Sequence, residues 1–309
     1  MHLILLLVLA PLASITTAAW DLNQRIIGYK DVIGFDYFTS SSQANKLAIK
    51  HHHSQLIEGF YFLKGAYNHW TGNDTGRLCT QDDFTLLPKP FSHTYQTEAD
   101  DSQAHGVPRT TPPYDIKPEN LSDDKAAQFV KDGQAKYGIQ WEFDNNRALG
   151  FINGTTPDGS QNWHVSGASQ FLPGTNEAYY IARNQGPKHL YKKLNYVIQP
   201  LAPGAETQKA GTIATITMPK QEKPGEGMEF SVNQVFQVIQ GQLSISIDGT
   251  DYNLIDKDSV VIPADTPFRI WSGIQFTKFL ATSGSENGLS SFLINDSNEW
   301  HSAIWPATY

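Results

Sequence analysis

The chain is poor in cysteine, in positive charge and in helical periodicity. Cys79 is the only cysteine among 309 residues, so no internal disulfide can form and stability must come from the core and the sheets. The formal net charge is −8 and no cluster of Lys and Arg occurs, which argues against a nucleic-acid partner. The best candidate helix, Asp123 to Lys131, is short. These absences favour a strand-rich protein that binds a small molecule, a carbohydrate or nothing.

Long hydrophobic runs are also missing. The apolar run from Leu3 to Leu12 is too short to cross a bilayer, so we expect no membrane anchor. It leads to small residues before Trp20, which predicts a signal peptide over residues 1–19 and a secreted, extracellular protein. Four N-glycosylation sequons support export, at Asn73, Asn120, Asn153 and Asn295.

Short strand-like runs dominate the rest of the chain. Val235 to Ile239 and Gln242 to Ile247 are rich in β-branched residues, and Asp248-Gly249 after them indicates a tight hairpin. Several such runs with turn residues at close spacing predict a barrel or a sandwich.

An internal repeat divides the chain into two similar halves. Gly65 lies 23 residues before Pro88, and Gly241 lies 22 residues before Pro263. The repeat predicts two β-barrel domains, with residues 20–96 as the first and 139–309 as the second. Between them, residues 97–138 are polar and rich in proline, so we interpret them as a linker or lid.

The most specific pattern is His51-x-His53-x4-Glu58, followed by His93 after Pro88. Alternate residues of a strand share a face, so His51 and His53 point the same way, whereas Glu58 must follow a turn or bulge. Three imidazoles and a carboxylate suit Cu, Fe, Ni, Co, Mn or Zn, and the ligand set alone does not choose among them.

Other positions are less informative. His69 and His105 are expected to be ordinary surface or loop histidines, and the parity of His52 fits the site less well. The second repeat has no histidine at the corresponding positions, so that barrel is expected to hold no metal. The residues that we align there with the four ligands are Gly227, Glu229, Gln234 and Phe268.

These patterns resemble the two cupin motifs, and the chain resembles the secreted fungal quercetin 2,3-dioxygenases (flavonol 2,4-dioxygenases). The resemblance rests on the segments Glu58-Gly59-Phe60-Tyr61, His93-Thr94-Tyr95-Gln96, Tyr180-Ile181-Ala182, Gly186-Pro187-Lys188 and Glu299-Trp300. It implies an all-β bicupin, with two jelly-roll β-barrels and a few short helices.

The resemblance also implies a site and a reaction. Copper (Cu²⁺) would be held by His51, His53, His93 and Glu58, although Fe, Mn, Ni and Co are not excluded. Glu58 would also be the catalytic base for a hydroxyl of the substrate. The expected reaction opens the heterocycle of a flavonol such as quercetin with O2 and gives a depside and carbon monoxide. Phe60, Phe62 and Tyr95 are expected to bind this small aromatic polyphenol.

The chain departs from the family after Gln96. The segment from Thr97 to Pro118 is too polar to read as the strand that closes the first barrel, so that barrel could be incomplete. Other interpretations therefore stay open: a non-flavonol isomerase or cyclase of secondary metabolism, a module that binds a metal or phenolic ligand without turnover, or an inactive divergent homologue. The sequence does not indicate the oligomeric state.

Overall fold

Strands account for nearly all of the regular structure in the described part of the chain. The computed structural model describes residues 38–42, 50–54, 57–71, 75–97, 102–107, 131, 139–141, 163–164, 178–183 and 185–300. The predicted signal peptide and the predicted helix before Lys131 lie outside these ranges. Within them, no helix is long and apolar enough to cross a membrane.

The first half forms two facing sheets. Their strands are β1 (Phe38–Ser42), β2 (His51–His53), β3 (Glu58–Lys64), β4 (Ala66–Thr71), β5 (Thr75–Thr80), β6 (Phe84–Leu87), β7 (His93–Thr97), β8 (Ser102–Val107), β9 (Ile139–Trp141), β10 (Trp163–His164) and β11 (Tyr179–Ile181). One sheet has the order β1-β8-β3-β6-β11-β10 and the other has the order β5-β4-β7-β2-β9.

The second half repeats this plan. It contains β12 (His189–Tyr191), β13 (Tyr196–Ala202), β14 (Thr212–Pro219), β15 (Gln234–Gln240), β16 (Gln242–Ile247), β17 (Thr250–Ile255), β18 (Ser259–Ile262), β19 (Phe268–Trp271), β20 (Phe276–Ser283), helix α1 (Leu289–Asn295) and β21 (Asn298–Glu299). The sheet orders are β18-β15-β20-β14-β13-β12-β21 and β17-β16-β19. The predicted all-β, two-barrel architecture is confirmed.

The predicted hairpin at Asp248-Gly249 joins β16 to β17. Both residues have positive φ, 49° and 78°, as a two-residue turn between antiparallel strands requires. Asparagine, aspartate and glycine adopt this conformation most readily, so these two residues determine the register of the hairpin.

The predicted domain boundaries need correction. Strand β8 lies inside the segment that we interpreted as a linker, yet it pairs with both β1 and β3. Residues 139–141 and 179–181, which we placed in the second domain, pair with β2 and β6 of the first barrel. Backbone hydrogen bonds form these pairs whatever the side chains, so a polar segment can complete a sheet without a hydrophobic pattern. The first barrel therefore draws its strands from residues 38–181.

The second barrel has an aromatic core where the first has its histidines. Phe236 lies 5.6 Å from Phe268 and 5.3 Å from Phe279, measured between ring centroids. Phe268 forms a β-bridge with Met228, and His93 pairs with His51 in the first barrel. Met228 therefore corresponds to His51. Our alignment, which placed Gly227 there, was wrong by one residue at this strand. Met228, rather than the exposed Gly227, packs against this core.

Buried groups also join the two barrels. Tyr61 of β3 and Leu280 of β20 belong to one hydrophobic cluster. The Tyr61 hydroxyl donates to Asp82 Oδ1 at 2.6 Å, and Lys278 Nζ lies 3.5 Å from Asp82 Oδ2. Burial raises the pKa of Tyr61 and lowers the pKa of Lys278, so the shared carboxylate offsets part of the cost of burying the ammonium group.

The aromatic core of the second barrel provides a stability prediction. Phe279 is fully buried, so Phe279→Ala should lower the free energy of unfolding by about 3–5 kcal/mol. Phe292→Ala is the matched control, because its ring is 47% exposed and the same truncation should cost roughly 1 kcal/mol or less. Denaturant unfolding measures both. Equal losses would show that this cluster is not the main core of the barrel.

Candidate metal centre

Four buried side chains converge at one end of the first barrel. His51 and His53 share a face of β2, Glu58 begins β3, and His93 begins β7. One donor atom from each lies within 4.8 Å of all the others. Antiparallel pairing of His51 with His93 brings two of these side chains together, and strand parity adds His53.

Glu58 lies between two of the imidazoles. Its Oε2 is 3.0 Å from His53 Nε2 and 3.0 Å from His93 Nε2, and its side chain is only 1% exposed. Ser54 lies in a bend between β2 and β3, close to where the sequence predicted a turn. The bend lets a residue of the other parity reach the face that carries His53.

The hydrogen bond of His93 is compatible with a cation bound beside Glu58. His93 Nδ1 lies 3.1 Å from the carbonyl oxygen of Phe91, which can only accept, so Nδ1 carries the proton. In the neutral ring Nε2 then presents a lone pair to the carboxylate oxygen of Glu58. Two lone pairs repel at 3.0 Å unless a positive charge lies between or beside them. The buried nitrogen and oxygen donors therefore fit a metal ion.

Aromatic rings lie next to this centre. Phe60 of β3 is buried, and its ring centroid lies 6.2 Å from that of the half-buried Tyr95. Phe62 is more deeply buried and packs against Tyr67 at 5.0 Å. The three aromatic residues that we expected to bind substrate thus lie in one cluster with the strands of the metal centre.

His69 is not the surface or loop histidine that we expected. It lies on β4 opposite Tyr95 and is 1% exposed. Burial, with a smaller contribution from His93, lowers the pKa of His69 to about 3, so its ring is neutral at ordinary pH. Strand parity could have predicted the burial of His69, because residues 67, 69 and 71 share a face of β4 and Tyr67 carries a largely apolar ring.

The remaining predicted positions are His52 and the four glycosylation sequons. His52 points to the other face of β2 and is partly exposed, as its parity predicted. Asn295 is exposed at the last residue of α1. The sequons at Asn73, Asn120 and Asn153 lie outside the described residues.

Comparison with known proteins identifies a related enzyme. No protein-family model matches the chain. A curated quercetin 2,3-dioxygenase from Aspergillus japonicus is 26% identical over 312 residues, which cover 88% of this chain and 85% of the relative. The chain is thus similar over most of its length to a quercetin 2,3-dioxygenase, which supports an oxidoreductase of the dioxygenase kind.

Solved structures support the fold. The salicylate 1,2-dioxygenase from Pseudoaminobacter salicylatoxidans superimposes with a TM-score of 0.51 at 14% identity, over 85% of this chain and 74% of that one. A variant of the same enzyme in complex with gentisate gives a TM-score of 0.54, also at 14% identity, over 85% and 71%. At this identity the likeness shows only that the two-barrel architecture is shared.

His93 and His52 allow a matched test of metal binding, because one belongs to the donor set and the other does not. His93→Ala should lose most of the bound metal, because it removes one of four donors and exposes the carboxylate to water. His52→Ala should keep about one metal per chain, because this ring points to the opposite face of β2. Elemental analysis after dialysis measures both. Full occupancy in His93→Ala would mean that another side chain is the ligand.

Proposed function

We propose that this protein is a secreted, copper-dependent dioxygenase that opens the heterocycle of flavonols such as quercetin with O2 and releases carbon monoxide and a depside. The observation that carries the proposal is the buried carboxylate of Glu58, held among three imidazoles beside Phe60 and Tyr95. The curated relative supports the reaction, since its name states a dioxygenase of quercetin.

His51, His53 and His93, with Glu58, would hold the metal. When bound, a Cu²⁺ ion acts as a Lewis acid that lowers the pKa of a hydroxyl on the substrate and favours the electron-rich anion that reacts with O2. The hydrogen bond from His93 Nδ1 to the carbonyl oxygen of Phe91 would orient the ring and leave Nε2 to serve as the ligand.

Glu58 would take the proton from that hydroxyl. It is a suitable base because it lies beside the imidazoles and is shielded from water, which would otherwise compete for the same hydrogen bonds. Movement of the carboxylate by a short distance would change its contacts from the imidazoles to the substrate. The same residue can therefore serve as a ligand and as a base.

Phe60 and Tyr95 would contact the flat faces of the substrate. Their rings meet edge to face, at 62°. Phe62 supports them from the barrel core through its contact with Tyr67. Aromatic side chains at this position would favour aromatic compounds and would exclude water from the reacting anion.

We further propose that the protein acts outside the cell. The apolar segment before Trp20 and the sequons support this location. Among the sequons, Asn295 lies on the surface of the second barrel, where a glycan could be attached without displacing core residues.

Glu58→Gln tests the role of the carboxylate. The amide retains the shape and one oxygen donor but cannot accept the proton, so turnover of quercetin should fall by about 100-fold or more. Copper content should fall much less. The loss of the flavonol absorption band measures turnover, and elemental analysis measures copper.

The control is Glu222→Gln, which makes the same change on the surface of the second barrel and should leave turnover within about twofold of wild type. Unchanged turnover in Glu58→Gln would contradict the assignment of the base.

The wild type distinguishes the alternative functions. Conversion of substrate without consumption of O2 would favour an isomerase or cyclase, and binding without conversion would favour a binding module.

A further inference from the structure

A polar pair lies inside the aromatic interior of the first barrel, and the reaction proposed above does not use it. His69 of β4 is 1% exposed, and Tyr180 of β11 is fully buried. The ring of His69 is almost parallel to that of His93, at 11°, with the centroids 6.4 Å apart. The pair therefore lies next to the metal centre although neither residue belongs to the donor set.

The hydrogen bonds of Tyr180 fix the tautomer of His69. The Tyr180 hydroxyl donates its single proton to the carbonyl oxygen of His69 at 2.9 Å, with a longer contact of 3.5 Å to Thr71 Oγ1. The same hydroxyl oxygen lies 3.3 Å from His69 Nδ1. Because the hydroxyl proton is already used, Nδ1 must be the donor of this second hydrogen bond.

His69 Nε2 is then left as an acceptor. It is buried, and none of the residues that the structure describes donates a hydrogen bond to it. Buried acceptors in folded proteins are rarely left without a donor, so one that faces a binding site indicates a missing partner.

The surroundings of Nε2 indicate the kind of partner. Nδ1 faces Tyr180, so Nε2 lies on the far side of the ring. The ring itself lies near both proposed substrate contacts, with centroids 5.6 Å from Phe60 and 6.4 Å from Tyr95, and 6.1 Å from the supporting Phe62. A partner must therefore fit among aromatic rings and bring a hydrogen-bond donor.

We propose that His69 Nε2 accepts a hydrogen bond from a phenolic hydroxyl of the substrate, a different hydroxyl from the one that Glu58 deprotonates. His69 is then a specificity-determining residue, and the preferred substrates are polyhydroxylated flavonols rather than flavonols with a single hydroxyl. This inference rests on the proposed function, because it assumes that an aromatic substrate occupies the site.

Binding without turnover tests the proposal directly. Copper-loaded protein is titrated under anaerobic conditions with quercetin and with 3-hydroxyflavone, which has only the hydroxyl next to the ring carbonyl. His69→Phe should weaken quercetin binding by about 10-fold and leave 3-hydroxyflavone binding within about twofold. His69→Gln should recover part of the loss, because its amide oxygen can accept a hydrogen bond.

A second measurement reads the tautomer. In protein loaded with diamagnetic zinc, nitrogen NMR of the histidine side chains should show His69 with a protonated Nδ1 and an unprotonated Nε2. Tyr180→Phe keeps the ring and removes the hydroxyl, so it should release this tautomer and reduce the preference for quercetin. Thr71→Val, which removes only the longer contact of Tyr180, is the control and should preserve both properties.

Several results would overturn the proposal. Equal losses for both flavonols in His69→Phe, or a wild-type His69 protonated at Nε2, would remove the hydroxyl subsite and leave the proposed function intact. Loss of copper in His69→Phe would show that the residue supports the metal instead. Failure of the wild type to bind either flavonol would overturn the proposed function itself. If His69→Phe does not fold, His69→Gln and Tyr180→Phe decide the question.

Discussion

The structure depends on one electrostatic constraint: a buried carboxylate among three buried imidazoles, two of which have a ring nitrogen 3.0 Å from it. His93 shows the constraint most clearly, since its proton is on the side of the Phe91 carbonyl and its other nitrogen faces Glu58 at 3.0 Å. A metal ion bound among these donors would satisfy the carboxylate and the ring nitrogens together. The register of β2 against β7 and the bend before β3 bring the four donors together. The backbone of these strands must therefore be positioned accurately around the donors.

The second barrel shows what the same fold becomes without that constraint. Phe268 lies where the first barrel has His93, and it packs against Phe230 and Phe236. These rings contribute dispersion and hydrophobic stabilisation with no donor atoms to satisfy. The second barrel thus supplies a stable partner surface, through the cluster that contains Tyr61 and Leu280. Among the residues that the structure describes, the cluster that could hold a metal lies in the first half.

The sequence predicted the features that depend on short, strict patterns. The donor quartet was visible because two alternate histidines, a carboxylate and a later histidine stand at motif spacing, and the hairpin was visible from Asp248-Gly249. Helix α1 was missed, although Leu289 and Leu293 stand at helical spacing, because seven residues give little periodicity.

The features that were missed depend on long-range pairing. Nothing in the sequence of β8 indicates that it pairs with β3, because this contact is made by backbone groups and its side chains are mixed in character. His69 was misjudged for a related reason. Its burial depends on Tyr180, which is 111 residues away in the chain. The domain boundary at residue 139 failed in the same way, since the repeat defines the inner strands of each barrel and not the segments that extend the sheets.

The central claim is that the buried donor set holds copper and directs O2 to a flavonol. The most direct measurement is the amount of O2 consumed and carbon monoxide released by copper-loaded protein supplied with quercetin in a closed vessel. The account predicts about one O2 taken up and one carbon monoxide released for each quercetin that disappears, with neither change in metal-free protein. Consumption of quercetin without carbon monoxide, or no O2 uptake by protein that carries one copper per chain, would contradict it.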